Sequence, residues 1–502
     1  MAKLEKVPFE EAMDLTGYGK FNLLTFILCS SIIIGMAFEI FSVSYLVPAS
    51  ACELGTTSSQ QGLMAAMPLM GIIATSHIWG YLADTRGRKK VLCFSMTLSF
   101  VAGAASAFSP DWITFSILKL LSSGSVAGAF ALSMTLLSEC NPVAKRSAVL
   151  VLSGTVFLAA NGLMAAIAIP VLPLKFAFYW SVLGIYFNSW RLQCLIFATP
   201  CAISAIGLVF AYESPKFLLS VGREDEALHI LRSMFVINTK KSGEEYPVSK
   251  VKSLALNEDD APEAVKGFWS SLVAQTTPLF KPPLLKNTLL ISIIFVIVYI
   301  CINPYMVWMP YIVDGVMRSV QRGETGLTFC ERLRASQNIT VEQVEDKCAL
   351  NEFAMTMVFG IGMIMAAGNT VVSILVSYMD RKTLLIIIQV ICGVSGLLVN
   401  CTSMWYLSAV FFLLYISGSI NFGFLNTFSV TLFPTYVKAM AVCLTLMVGR
   451  GSAALGINLL KEMLNTNCEA SFYVFGSIAL LGALLQCFLP GTKPKQRRCP
   501  ET

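Results

Sequence analysis

The chain has 502 residues, of which 56% are hydrophobic and only 13% are charged, with 36 Lys plus Arg against 30 Asp plus Glu. A soluble domain carries roughly 25% charged residues, so about half the usual solvating surface is missing and an ordinary soluble enzyme is excluded. The net charge of +6 sits in loops suited to anionic lipid and does not indicate nucleic acid.

Residues 1–20 are polar and mixed in sign, without the pattern of a cleaved leader. Twelve apolar segments follow, each near the roughly 20 residues needed to cross a hydrocarbon core. In the first half they run over 21–47, 54–83, 91–110, 112–138, 147–174 and 192–212. In the second they run over 287–313, 353–379, two within 383–437 that part at Asn400-Cys401-Thr402-Ser403, then 439–460 and 470–492. Backbone groups in lipid must pair within their own segment, so these spans are expected to be helices. The predicted fold class is an all-α polytopic membrane protein with twelve transmembrane helices in two pseudo-symmetric six-helix bundles. The bundles cover 21–212 and 287–490, joined by a charged loop at 213–286, with a tail at 491–502.

With residues 1–20 in the cytosol, 26 Lys and Arg fall on the cytosolic side and 8 on the other. This positive-inside excess places both termini in the cytosol. The loop at 314–352 is then extracytosolic. It carries the sequon Asn338-Ile339-Thr340 between Cys330 and Cys348, an expected glycosylation site inside an expected disulfide. A second sequon, Asn400-Cys401-Thr402, is too close to the membrane for use. In the 213–286 loop, Ala227, Leu228, Leu231 and Met234 recur at helical spacing and predict an amphipathic helix over 223–235.

The halves resemble each other. Asp84 after the second span corresponds to Asp380 after the eighth, at an offset of 296, and Pro142 and Arg146 correspond to Pro434 and Lys438, at an offset of 292. Such repetition marks transporters in which two bundles rock about a site near the midplane.

The loop between spans two and three reads GYLADTRGRKKVL. It resembles the major facilitator signature G-x-L-x-D-x-x-G-R-[RK] at every defining position, Gly80, Asp84, Gly87 and Arg88 among them. LLSECNPVAKR, ending at Arg146, and YESPKFLLSVGREDEALHIL, beginning at Tyr212, are similar to the sugar-porter and organic-ion branches of that superfamily. EIFSVSYLVPASACELGTTSSQQGLM and NSWRL resemble the synaptic vesicle glycoprotein 2-related subfamily most closely. The resemblance implies the twelve-helix, two-lobe fold across essentially the whole chain. Gly80, Asp84, Gly87, Arg88, Glu139, Arg146 and Glu213 lie at predicted cytosolic helix ends, where salt bridges and helix termini can form a conformational latch favouring the outward-facing state. Asp380 and Lys438 are the thinner second-half counterparts.

An ionisable side chain within a span costs on the order of 2.5–3.5 kcal/mol on insertion scales, which makes each one a functional candidate. Glu39 is suited to carrying a coupling proton, or to pairing with a cationic substrate, Lys119 or Arg450. Arg450, near the middle of span eleven, suits a carboxylate or sulfate. Lys119 can contact ligand, hold a structural bond or snorkel, and His77 reads as a packed neutral histidine or a proton shuttle. Asn303-Pro304-Tyr305-Met306-Val307-Trp308 is expected to interrupt span seven. Asn161, Tyr305, Trp308, Tyr415, Asn421 and Asn426 complete the expected substrate lining.

No Walker loop, metal-ligand spacing or nucleophile–base pair stands out, so no metal, cofactor or enzymatic activity is expected. The expected function is secondary active transport of a small organic ion, preferably an anion, by a monomer in the plasma or a vesicle membrane, with lipid as the other partner and a proton as possible coupling ion. A sugar-like carrier and a non-transporting receptor or vesicle-organising protein are the alternatives.

Overall fold

The computed structural model describes residues 7–251, 276–337, 351–376, 378–433 and 435–490. It is helical almost throughout, and the described chain divides into two compact units. Unit 1 comprises 1–42, 71–161 and 178–266, and unit 2 comprises 43–70, 162–177 and 267–502.

The first half opens with α1 (Phe9–Asp14), followed by the first span, which is split into α2 (Lys20–Phe41) and α3 (Val43–Leu54). The second and third spans are α4 (Ser58–Arg86) and α5 (Arg88–Ser106), and the fourth is split into α6 (Trp112–Ser125) and α7 (Ala129–Glu139). The fifth is α8 (Val143–Val171). A hairpin of β1 (Ala177–Trp180) and β2 (Ile185–Asn188) leads to the sixth, α9 (Ser189–Phe210), and then to α10 (Pro215–Ser220) and α11 (Glu224–Thr239).

The second half begins with a single long helix, α12 (Leu284–Gln321), and the short α13 (Phe329–Gln337). Spans eight and nine are α14 (Glu352–Leu375) and α15 (Arg381–Leu398). The tenth is split into α16 (Trp405–Ile416) and α17 (Asn421–Thr431), and α18 (Thr435–Thr466) and α19 (Cys468–Gln486) complete the chain.

Eleven of the twelve expected spans are helices long and apolar enough to cross a membrane. The twelfth is α5, a 19-residue helix whose first turn holds Arg88, Lys89 and Lys90, which lowers its mean hydropathy. The predicted amphipathic segment is α11, with Ala227, Ile230, Leu231, Met234 and Phe235 buried. The break between α6 and α7 recurs between α16 and α17, at residues 417–420, matching the 292-residue offset of the repeat.

Span seven departs from expectation. α12 is continuous through Pro304 and Pro310, so Asn303–Trp308 does not interrupt it. Each proline removes one amide donor, yet 38 residues of helix persist because α12 is the packing centre of unit 2, in contact with α18, α19, α14 and α13.

Unit 1 is built on the packing of α5 with α9 and α6, and of α2 with α9 and α7. Its apolar core also takes in Phe9, Ala12 and Met13 of α1, which the sequence presents only as part of a polar terminal segment. Val7 forms an isolated parallel bridge with Val251, Tyr246 donates from its hydroxyl to the Ala12 carbonyl, and Asn238 donates to the carbonyls of Thr16 and Gly17. Side chains cap the helix starts at Asp111, Ser214, Asn351 and Asn467. Asp111 accepts from the amides of Ile113 and Thr114 at the start of α6, and these bonds, led by that of the Thr114 amide, hold its carboxyl below the usual carboxylate range.

Candidate functional site

In unit 1, the break after Phe41 ends α2 two residues beyond Glu39, and the packing of α2, α5 and α6 encloses that residue completely. Lys119 of α6, also without exposure, donates to Glu39 Oε2 at 3.2 Å. Ser122 donates to the same oxygen at 2.5 Å, and Ser123 donates to the Glu39 carbonyl at 3.3 Å. Of the partners open to Glu39 in the sequence, the structure brings Lys119. Glu39 Oε1 is buried without a hydrogen-bond partner. It lies against Gly103 of α5, where an added Cβ would come within 2.3 Å, so α5 can approach this carboxylate only because residue 103 has no side chain. Ser99, Cys194 and Cys201 extend the polar packing around the pair.

A second buried cation of unit 1, Arg191, donates to the carbonyls of Ala107 and Ser109, both at 2.8 Å, and stacks on Trp190. Those carbonyls follow the end of α5, so Arg191 acts as a helix-end clamp. Asn161 lies on α8, and His77 is half-buried on α4.

The latch residues fall into two groups. Glu213 accepts from the Lys89 amide at 3.0 and 3.1 Å and from the Ser214 amide at 2.9 Å. Gly87 makes this approach possible: its φ of +100° is accessible to glycine, and a Cβ there would reach Glu213 Oε2. Arg88 lies 3.5 Å from Glu139 and stacks over Phe217, and Ser214 donates to Glu139 at 2.5 Å. Gly80 lies on α4 with no neighbour within 4 Å of an added Cβ. Arg146 pairs instead with Glu10 of α1, through two hydrogen bonds of 2.5 and 3.2 Å, and nothing in the sequence pattern marks Glu10 as its partner. All these contacts are internal to unit 1. In unit 2, Asp380 is the N-cap residue of α15. The side chains of Asp84 and Lys438 lie outside the described ones.

The remaining candidates of unit 2 separate by environment. Tyr305 and Tyr415 are fully buried core residues that donate to Ser471 Oγ and the Cys301 carbonyl and pack with Phe412 and Phe472. Asn421 donates to Gln389 Oε1 at 2.9 Å, while its own Oδ1 is buried and without a partner, as is Asn426 Oδ1. Arg450 is partly exposed on α18, within electrostatic reach of Tyr299 and Cys443. Tyr299 in turn packs on Phe422 at 4.4 Å and on Phe295 at 5.8 Å. Trp308 donates to the Ile457 carbonyl and faces Lys461. The apolar run ends at Leu460 and thereby reads Lys461 as a loop charge, but α18 continues to Thr466 and buries it. The 458, 461, 465 spacing of Asn, Lys and Asn is the helical signal that marks this face.

The expected pairing of Cys330 with Cys348 is corrected: Cys330 is bonded to Cys468. α13 folds back against α12, which brings Cys330 to the start of α19, where Arg334 also pairs with Glu469 at 2.8 Å. Nearness in sequence favoured Cys348, whereas the actual partner is 138 residues away. Cys348 and Asn338 lie outside the described residues. Cys52 is also disulfide-bonded. Asn400 is largely buried, and its Oδ1 accepts from the Cys330 amide at 2.9 Å. A hollow beside the hairpin, lined by Phe108, Phe178, Trp180 and Phe187, holds no charged side chain.

The family profile described as Major Facilitator Superfamily matches residues 27–328. Synaptic vesicle glycoprotein 2B of Homo sapiens is 26% identical over 352 residues, covering 66% of this chain and 51% of that protein. Synaptic vesicle glycoprotein 2C of Mus musculus is 26% identical over 336 residues, covering 64% and 46%. The chain thus spans about half the length of these curated relatives. Among solved structures, the xylose transporter XylE of E. coli in a partially occluded inward-open conformation aligns with a TM-score of 0.67 at 14% identity, covering 94% of this chain and 100% of that one. A structure of a D-xylose-proton symporter aligns at 0.66 and 14%, covering 95% and 100%. At that identity the likeness shows the fold alone.

Proposed function

The chain belongs to the Major Facilitator Superfamily, and on that footing we propose that it is a secondary active transporter moving a small organic anion by alternating access. Glu39 and Lys119 form its proton-linked pair, and Arg450 is its anion contact. The observation that carries the reading is charge retained in the spans: a fully buried Glu39–Lys119 pair in unit 1 and Arg450 beside Tyr299 in unit 2. Two ions taken out of water lose several kcal/mol each in solvation, only partly returned by their attraction. A pair kept at that cost within a span, with one carboxylate oxygen unpartnered, supports a functional role for it. The protein acts as a monomer in the plasma or a vesicle membrane, with both termini cytosolic.

A sugar-like carrier is the second reading, favoured by the Gln389–Asn421 carboxamide pair and its unpartnered Asn421 Oδ1, groups suited to hydroxyls. Uptake into proteoliposomes of organic anions, organic cations and hexoses, with and without a pH gradient, separates these readings. Anions are expected to accumulate, Arg450→Ala to abolish their uptake with normal membrane insertion, and Glu39→Gln to remove the response to the gradient. Accumulation of hexoses alone would establish the sugar reading. No accumulation by correctly inserted protein would leave a receptor or vesicle-organising role.

A further inference from the structure

A cation of unit 2 lies buried without an ion pair among the described residues, the adjacent Glu462 acting on it only through space. Lys461 is 3% exposed, and its Nζ sits 3.5 Å from the centroid of the Tyr311 ring and 4.7 Å from that of Trp308, both on α12. Among the described residues the ammonium has no ion pair or hydrogen bond. Ring faces attract an ammonium by roughly 0.5–2 kcal/mol, less than the several kcal/mol lost on leaving water. The charge is therefore held at net cost, which at membrane depth marks a ligand-handling group.

A second observation lies on the same face of α18. Asn458, three residues earlier, has a buried Oδ1 without a hydrogen-bond partner, lying against Gly62 near the start of α4. Four residues beyond Lys461, Asn465 donates to Ser58 Oγ at 2.7 Å and accepts from the Tyr311 hydroxyl at 3.5 Å. One strip of unit 2 thus presents an acceptor, a cation and an amide along one aromatic wall, formed by Trp308 and Tyr311 packed edge to face at 5.9 Å, and covered by the first turns of α4. It lies 11 residues from Arg450, about 16 Å by helix rise, and is a separate position.

We propose that this strip binds a small carboxylate carrying a hydroxyl beside the carboxyl group and an apolar body, in a state where the Ser58–Asn465 bond is broken. Lys461 takes the carboxylate, Asn458 Oδ1 accepts from the hydroxyl, and the aromatic wall of Trp308 and Tyr311 packs against one side of the apolar part. The assignment rests on the reading of the protein as an anion carrier and adds a second recognition point to it.

Equilibrium binding of radiolabelled mandelate and phenylacetate to the purified full-length protein tests the site. The two probes share a ring and a carboxylate, and only mandelate has the hydroxyl. Lys461→Gln is expected to weaken both by about tenfold or more, the worth of a hydrogen bond to a charged group, while Lys461→Arg retains most of the affinity. Asn458→Leu is expected to erase the preference for mandelate and leave phenylacetate binding intact, a readout that a folding defect would not produce. Wild-type affinity for mandelate in Lys461→Gln, preserved discrimination in Asn458→Leu, or no binding of either probe to the wild type would each overturn the site. Lys461-dependent binding without uptake would instead sink the transport reading. Uptake that requires Arg450, with binding indifferent to Lys461, would sink this site alone.

Discussion

A carboxylate and an ammonium enclosed together hold each other only while both remain. Glu39 and Lys119 have no exposure, Ser122 donates to the carboxylate oxygen that Lys119 holds, and Ser123 donates to the Glu39 backbone carbonyl. Removing one ion leaves the other charged and enclosed, which costs about 3–5 kcal/mol, whereas replacing both by apolar groups of similar volume is often neutral. Lys119→Met is therefore expected to lower thermal stability in detergent sharply, and the Glu39→Leu/Lys119→Met double variant to recover most of it. An additive loss would show that the two do not act as a pair. Gly103→Ala places a methyl within 2.3 Å of Glu39 Oε1, a contact that must displace either the carboxylate or α5. It is expected to reduce both melting temperature and any pH-dependent uptake, and wild-type behaviour in both would contradict the tight approach of α5. The presence of Glu39 and Lys119 was legible in the sequence because charge stands out in an apolar run. Their pairing stood there only as one of several alternatives, since 80 residues separate them and Arg450 was as open a partner.

The helices show how local chemistry and packing share control of an element. The apolar runs marked the spans, but three are built from two helices each, parting at Ser42, at 126–128 and at 417–420, while the proline-bearing span seven runs unbroken. A proline signals a lost donor, and the surrounding contacts decide whether the helix yields. α1 illustrates the reverse: six residues without a marked apolar pattern become core because Phe9 and Met13 join the apolar cluster that also holds Ala227 and Met234 of α11, and because Glu10 pairs with Arg146. Glu10→Ala should loosen this segment, read as faster limited proteolysis near residues 8–17 and faster amide exchange in α11. Because Glu10 is partly exposed, the effect on global stability should stay within about 1 kcal/mol. Unchanged exchange in α11 would show that α1 is held by its apolar contacts alone.

At the scale of the molecule, the Cys330–Cys468 bond ties α13 to the start of α19 across 138 residues. Mass spectrometry of an unreduced digest is expected to recover a Cys330–Cys468 peptide and no Cys330–Cys348 peptide. Cys330→Ser should cost about 2–5 kcal/mol, the usual worth of a native disulfide, measured as a lower melting temperature. Asn338→Gln is expected to remove a glycan-dependent mobility shift and Asn400→Gln to leave it, because the Asn400 side chain is largely buried. A glycan retained in Asn338→Gln and lost in Asn400→Gln would move the modified site to Asn400, whereas no glycan at either sequon would remove this support for the orientation of the loop.

By itself the sequence determined that the chain is a bundle of membrane-crossing helices, where those helices lie and which charges remain among them. Each of these follows from a local penalty, since lipid charges every unpaired amide and every ion at its own position. Only the tertiary structure decided which groups meet. Glu39 with Lys119, Arg146 with Glu10, Cys330 with Cys468 and Lys461 with two rings all depend on how each helix is rotated against its neighbours. Close approaches such as that at Gly103 and breaks such as that at Ser42 set those rotations, and composition along one helix carries no record of them.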